Sequence, residues 1–482
     1  GFVMRAAPTL TPPKASWQEW LYTVRWEAHP LPDLPTRPEA KAQGNGTMSE
    51  TSSHWLICAD TLGIGDGLAT ALRQRGEQPI VVKAGAAYDQ QDAHTFTIAP
   101  DAPADYVRLL KALPAVQGVI HLWSLDTPTG NPADLDTVGR HSCGTILNLV
   151  QTLLQTGDSL SALWLVTQDA QAITQGDEVM GVSQAPVWGL GKVIALEHPE
   201  LHPVCIDLDG AETVERQAAA LCAELLAAPS GHSRETQVAL RQGKRYVARL
   251  ARFTLPPPQK TASAITCYGA ATYLITGGLG GLGLLVARWL VEQGAKHLLL
   301  VGRSQPTPEV QHYLDQLAAL GATISDNSPA TVTVIQADVA DYAQLERGLS
   351  RIDSRYPLRG IIHATGIVND AALWQQDWAR FARVQSPKIA GAWNLHRLTE
   401  KQPLDFFVLF SSAAGLLGSP GQANYAAANA FLDAFAHYRC GQQLPAFSIS
   451  WGAWAEVGMA AALGRDRETQ MVALGQGVIT PQ

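Results

Sequence analysis

A chain of 482 residues with 46% hydrophobic content can bury two cores of moderate size. Its formal charge of -8 lacks the dense positive field that sequence-independent nucleic-acid binding requires, so nucleic acid is not an expected partner. Cys58, Cys143, Cys205, Cys222, Cys267 and Cys440 are scattered without a Cys-x-x-Cys pair, which argues for reduced thiols in the cytoplasm rather than disulfides or a structural zinc. The apolar stretch from Ile275 to Leu290 is glycine-rich and contains Arg288, so neither a membrane span nor a signal segment is expected. A start at Gly1 and a loop-like GQGVITPQ ending point to a piece of a longer polypeptide.

The proline-bearing opening, residues 1–16, reads as a linker from an upstream domain, and the polar stretch from Pro32 to Ser53 as a surface loop. From His54 onward, short apolar runs (WLICA, PIVV, VIHLW, ALWLV, VCIDL) alternate with longer amphipathic segments, the pattern of a parallel sheet with crossover helices. Three consecutive prolines at 256–258 mark a boundary, after which a second series begins: YLITGG, HLLLVGR, TVTVIQAD, GIIHATG, FFVLFSS and PAFSISWG. The predicted organisation is a structural region over 17–255, a join over 256–265, a catalytic region over 266–463 and a tail over 464–482 leading toward a downstream domain. The two series are an internal repeat: HWLICADTLGIGDGLATALRQRG parallels YLITGGLGGLGLLVARWLVEQG, and QGVIHLWSLD parallels RGIIHATGIVND. Only the second copy carries chemistry. The first places Asp66 where a phosphate would approach and has no Tyr-x-x-x-Asn after ALWLVTQ. The expected fold class is therefore α/β, with two Rossmann-like, doubly wound parallel-sheet subdomains, the first truncated and structural, the second catalytic.

Thr276, Gly277, Gly278, Leu279, Gly280, Gly281, Leu282 and Gly283 lie between an apolar strand and a helical pattern. Glycines there let the backbone approach a pyrophosphate, and the helix N-terminus offers free N–H groups. Where an NAD enzyme would place an acid on the ribose, HLLLVGRS ends in Arg303 and Ser304, a pair suited to a 2′-phosphate, so NADPH is expected. Asp338 and Val339 close TVTVIQAD, and Ala364 and Gly366 follow GIIH, at strand ends where such sheets bind ligands. Asp338 has a second reading as a helix cap.

The proton-transfer set is Ser412 at the end of FFVLFSS, Tyr425 thirteen residues on, Asn429 one turn later and Lys388 upstream. Ketone reduction develops alkoxide charge that a nearby acid must neutralise. Tyr425 is the expected acid, tuned by Lys388, which also holds the nicotinamide ribose. Ser412 is expected to bond the substrate carbonyl, and Asn429 to anchor a water relaying protons to the lysine. Two decoys compete less well. His198 and His202 share a four-residue spacing, but Pro199 interrupts the helix they would need, and no third metal ligand is evident. Ser411 and Ser412 lack the Gly-x-Ser-x-Gly setting of a hydrolase nucleophile.

The second half resembles the short-chain dehydrogenase/reductases and, more narrowly, the ketoreductases of modular polyketide synthases. LYTVRWEA, PVWGLGKVIALEHPEL and QVALRQGKRYVARLARF extend the resemblance over about residues 20–460, the first half resembling that family's structural subdomain. The short join LPPPQKTAS leaves no room for the enoylreductase that fully reducing modules can insert there. The resemblance implies NADPH-dependent reduction of a β-ketoacyl chain carried on the phosphopantetheine arm of an acyl carrier protein, beside neighbouring synthase domains in one polypeptide. A redox-inactive or α-carbon-epimerising scaffold is the alternative, and a stand-alone reductase of small ketones would lack the degenerate first copy. In this family a Leu-Asp-Asp motif after His-Ala-x-Gly goes with the D-hydroxyl, and a Trp five residues after the serine with the L-hydroxyl. Here Val368-Asn369-Asp370 and Leu417 stand at those places, so the D product (B-type) is expected, Asn369 being a departure. Pro420 and Asn424 resemble a D-class variant acting on epimerised α-methyl substrates, which leaves α-carbon processing open.

Overall fold

Continuous β-branched and aliphatic runs form the central strands of two sheets and are buried on both faces, whereas the edge strands are partly exposed. The computed structural model describes residues 20–31, 53–130, 134–157, 162–174, 176–227, 235–254, 267–324, 328–458 and 479–480. The expected linkers at 1–16 and 256–265, the loop over 32–52 and the tail over 464–482, apart from 479–480, lie outside the described residues.

The first sheet holds β1 (Tyr22–Ala28), β2 (His54–Ala59), β3 (Gln78–Ala84), β4 (Asp89–Gln90), β5 (Thr95–Ile98), β6 (Val116–His121), β7 (Ala162–Gln168), β8 (Pro203–Leu208), β9 (Gln237–Arg241) and β10 (Lys244–Arg252). The second holds β11 (Thr272–Thr276), β12 (His297–Gly302), β13 (Thr331–Gln336), β14 (Leu358–His363), β15 (Phe406–Ser412) and β16 (Phe447–Trp451). The second sheet runs β13-β12-β11-β14-β15-β16, all parallel, so the order reverses beside β11 and opens a crevice at its C-terminal end. The first repeats this scheme as β5-β3-β2-β6-β7-β8, extended by the parallel β9, with β10 and β1 added antiparallel beyond it and β4 at the other edge. Its truncation is a missing crossover: β3 reaches β5 through the two-residue β4, where β12 reaches β13 through the helix Pro308–Ile324.

The repeat extends to irregular features. A π-turn at Ser386–Ala390 carries Lys388 in the second region, and one at Arg140–Gly144 carries the buried Ser142 at the matching place in the first. Equivalent elements also pack together. The helix Pro186–Glu197 lies on the helix Ala423–Gly441, where a Cβ on Gly189 would come within 2.3 Å of the Ala426 carbonyl oxygen. The run of alanines from Ala426 to Ala430, broken only by Asn429, gives that approach its room. Trp188, Val187 and Leu190 share one buried cluster with Leu373, Phe381, Ala423 and Ala427, so a single core crosses between the regions. At about 1.5–3 kcal/mol for each fully buried aliphatic or aromatic side chain, that shared core holds the two regions together.

Candidate active site

The glycine loop follows β11 directly. Gly277 has φ +66°, a conformation that disfavours a side chain, and a Cβ on Gly283 would lie 2.3 Å from the Gly277 carbonyl oxygen. The helix Gly281–Glu292 that follows has no side-chain cap at its N-terminus among the described residues. The corresponding turn in the first region is filled by the protein itself. Asp60, following β2, accepts from the Ile64 and Gly65 amides at 3.1 and 2.7 Å. Asp66, singled out in the sequence, is instead exposed and paired with Lys83 at 3.0 Å. The residue that occupies the anion-binding amides is thus Asp60, which only the turn geometry reveals.

Arg303 and Ser304 stand exposed just past β12, and no ion pair engages the Arg303 guanidinium among the described residues. Asp338 accepts from the Ala340 amide at 2.9 Å, whereas Asp341 caps the following helix, so the cap role falls to the later aspartate. Val339 is buried against Gly391, and Ala364 and Gly366 follow β14 beside the glycine loop, the Ala364 amide donating to the Thr276 carbonyl at 3.2 Å. Glycines that admit no Cβ, an uncapped helix N-terminus and a free guanidinium at the neighbouring strand end fit a dinucleotide bearing a 2′-phosphate.

Ser412 ends β15, and its hydroxyl accepts from the Ala414 amide at 3.2 Å. Tyr425 and Asn429 lie on one face of the helix Ala423–Gly441; Asn429 Nδ2 donates to the Tyr425 carbonyl at 2.8 Å, and its buried Oδ1 has no partner among the described residues. Burial raises the Tyr425 phenol above its ordinary pKa, and hydrogen bonding to Ser412 and Asn429 pulls it back down. Lys388 is buried. Its Nζ donates to the Phe410 carbonyl at 2.8 Å and lies 5.4 Å from the Tyr425 ring centroid. Burial depresses its pKa to about 7, opposed by the charge of Asp433. The four candidate residues therefore converge at the C-terminal end of β15.

Two neighbours escape a reading of the sequence. Asp433, two turns beyond Tyr425, accepts from the Ser448 hydroxyl at 2.6 Å and the Ser450 hydroxyl at 3.2 Å. Its place at the i+4 position from Asn429 is a legible signal. His363 is fully buried and its pKa depressed to about 3, so it is neutral. Its Nε2 faces the Lys388 carbonyl oxygen at 3.2 Å and must donate, so Nδ1 accepts from the Thr276 hydroxyl at 2.7 Å. The ring ties the glycine loop to the turn that carries Lys388.

On the expected substrate side, Asp370 Oδ2 accepts from Gln422 Nε2 at 3.0 Å, and its buried Oδ1 has no partner among the described residues. Asn369 Oδ1 accepts from Arg380 at 3.0 Å, and its carbonyl from Asn424 at 2.9 Å. Leu417 is 55% exposed and Pro420 follows in the same turn. The two histidines weighed as metal ligands flank the short turn Pro199–Leu201, with His198 paired to Glu200 at 2.9 Å.

A β13-β12-β11-β14-β15-β16 sheet with a glycine turn after β11 and a Ser, Tyr, Lys and Asn group at β15 defines the short-chain dehydrogenase/reductase class. Residues 271–456 match the KR domain family, and residues 63–250 match the Rossmann fold domain of polyketide synthase extender module SpnB. The chain belongs to the polyketide synthase ketoreductases. It is 35% identical over 465 residues to polyketide synthase GfsB of Streptomyces halstedii, covering 92% of this chain and 8% of that protein. It is 38% identical over 339 residues to a phenolphthiocerol/phthiocerol polyketide synthase of Mycobacterium tuberculosis, covering 70% of this chain and 18% of that protein. Across the curated relatives it matches, the chain spans between 6% and 22% of their length. Among solved structures it is similar to an A1-type ketoreductase (TM-score 0.77, 28% identity, 96% of this chain and 88% of that one). It is also similar to a C2-type ketoreductase from a modular polyketide synthase (TM-score 0.71, 29% identity, 96% and 94%). No described helix is long and apolar enough to cross a membrane.

Proposed function

We propose that this chain reduces the β-keto group of an acyl thioester, presented on the phosphopantetheine arm of an acyl carrier protein, to a β-hydroxyl with NADPH. We further propose the division into a structural region over 17–255 and a catalytic region over 266–463, with neighbouring synthase domains in the same polypeptide. The observation that carries the reading is the convergence of Ser412, Tyr425, Lys388 and Asn429 at one strand end, next to an uncapped glycine turn. Thr276, Gly277, Gly278, Leu279, Gly280, Gly281, Leu282 and Gly283 would cradle the pyrophosphate, Arg303 and Ser304 the 2′-phosphate, Asp338 and Val339 the adenine side, and Ala364 and Gly366 the ribose side. Bound NADPH supplies hydride to the ketone carbon. Ser412 donates a hydrogen bond to the ketone oxygen, and Tyr425 delivers the proton that neutralises the developing alkoxide. Lys388 reprotonates the phenolate through ordered water, for which the unpartnered Oδ1 of Asn429 is a ready acceptor.

Stereochemical type depends on a few groups beside the substrate, so at 28% overall identity to the A1-type structure it follows this chain's own loop residues. Asp370 at the loop and the aliphatic Leu417 in place of tryptophan favour the D-hydroxyl. The test is incubation with a short unsubstituted 3-ketoacyl thioester and NADPH, followed by chiral separation. The D (3R) alcohol is expected, a mainly L product would overturn the stereochemical assignment, and no product would overturn the reductase reading.

A further inference from the structure

The first region reaches the second through its helix Pro186–Glu197, and three residues of its C-terminal half make the contact. Lys192 Nζ donates to the Gly415 carbonyl at 3.0 Å. The Leu196 methyl stands 2.8 Å from where a Cβ on Gly418 would lie. Glu197, the last residue of the helix, accepts from the Gly421 amide at Oε1 and from the Leu373 amide at Oε2, each at 2.7 Å. One carboxylate thus bonds two backbone amides from two loops of the other region. The loop bearing Leu373 also carries Asp370; the one bearing Gly421 carries Pro420, follows the short helix Ala413–Leu417 and leads into the helix of Tyr425.

We propose that Glu197 is a positioning residue for the reaction, holding the two substrate-side loops in register with each other and with Tyr425; this rests on the reductase reading. The loops meet directly as well. The Ala371 amide donates to the Gly421 carbonyl at 2.9 Å, and Asn424 Nδ2 to the Asn369 carbonyl at 2.9 Å. From the far side Gln151 Nε2 donates to the Leu373 and Gln376 carbonyls at 3.0 and 2.7 Å, so the first region holds Leu373 by both its amide and its carbonyl. A carboxylate is the side chain this junction needs, because it offers two acceptor oxygens and no donor. Hydrogen bonds to a charged acceptor are also shorter and stronger than neutral ones. A glutamine would turn an NH2 group toward one of the two amides. Because Glu197 bonds the substrate-side loops and not the glycine turn after β11, cofactor binding and substrate positioning separate in the variant.

The experiment uses the full chain with Glu197→Gln and Glu197→Asp. Peptide-level hydrogen exchange over 369–376 and 418–424, NADPH affinity by fluorescence, and turnover of a 3-ketoacyl thioester with chiral product analysis are measured. In Glu197→Gln, exchange in both segments accelerates about tenfold or more while the rest of the chain and the NADPH affinity stay at wild-type levels. The thioester kcat/KM falls about tenfold and the minor alcohol increases. Glu197→Asp, which keeps both acceptors on a shorter arm, recovers part of the loss. Unchanged exchange in both segments, or acceleration spread evenly over the chain, would overturn the proposal, as would normal turnover with an unaltered product ratio. A wild-type chain that fails to reduce the thioester would instead overturn the reductase reading, and the exchange pattern would still decide whether Glu197 holds the loops.

Discussion

Lys388 holds its Nζ 5.4 Å from the centroid of the Tyr425 ring, anchored there by a 2.8 Å bond to the Phe410 carbonyl. The lysine faces the tyrosine from the π-turn Ser386–Ala390, and the buried His363 fixes that turn to the end of β11. The proposed proton donor and the glycine turn are thereby joined through one buried histidine.

Tyr425→Phe keeps the ring and its packing but removes the proton. Turnover is expected to fall by at least about a hundredfold, the usual cost of losing a general acid, with NADPH affinity largely kept. Steady-state kinetics beside a cofactor titration check this, and near-normal turnover in a folded variant would remove Tyr425 from its role.

Arg303 stands exposed past β12 with a guanidinium that pairs with no described carboxylate. Arg303→Ala is expected to abolish most of the preference for NADPH over NADH, since the lost group is the one proposed to bind the 2′-phosphate. The ratio of specificity constants for the two cofactors is the measurement; an unchanged ratio would assign the phosphate to another group.

Asp433 opposes the depression of the Lys388 pKa, which burial brings to about 7. Removing that charge in Asp433→Asn lowers the lysine further, so less ammonium remains above neutrality. The alkaline limb of the kcat/KM profile is therefore expected to move to lower pH, and a limb that stays or moves upward would contradict the coupling.

The same burial makes a stability prediction. With the folded-state pKa near 7 and the unfolded value at 10.5, the unfolded chain binds more protons between those limits, so this group's contribution improves as pH rises through them. Its penalty is complete below about pH 7. Lys388→Met is expected to melt higher than wild type near pH 6, with a gain that shrinks toward pH 10. Melting curves at both ends check the sign, and a gain that grows with pH would refute it.

Much of the fold is legible because its signals are local. The apolar runs, the punctuating prolines and the repeat of HWLICADTLGIG in YLITGGLGGLG are periodicities within a few residues, and they become β2 and β11 with the turns that follow. Ser412, Tyr425 and Asn429 are legible for the same reason, since one strand end and one helix turn fix their relative places. The sequence by itself thus determined the two parallel-sheet regions and the residue types that stand at their strand ends. Tertiary structure alone decided what closes and supports the site. Glu197 bonds amides 176 and 224 residues away, and His363 meets the Thr276 hydroxyl across 87 residues. Such contacts leave no periodic trace, because a hydrogen bond between distant segments depends on how two sheets pack rather than on spacing along the chain.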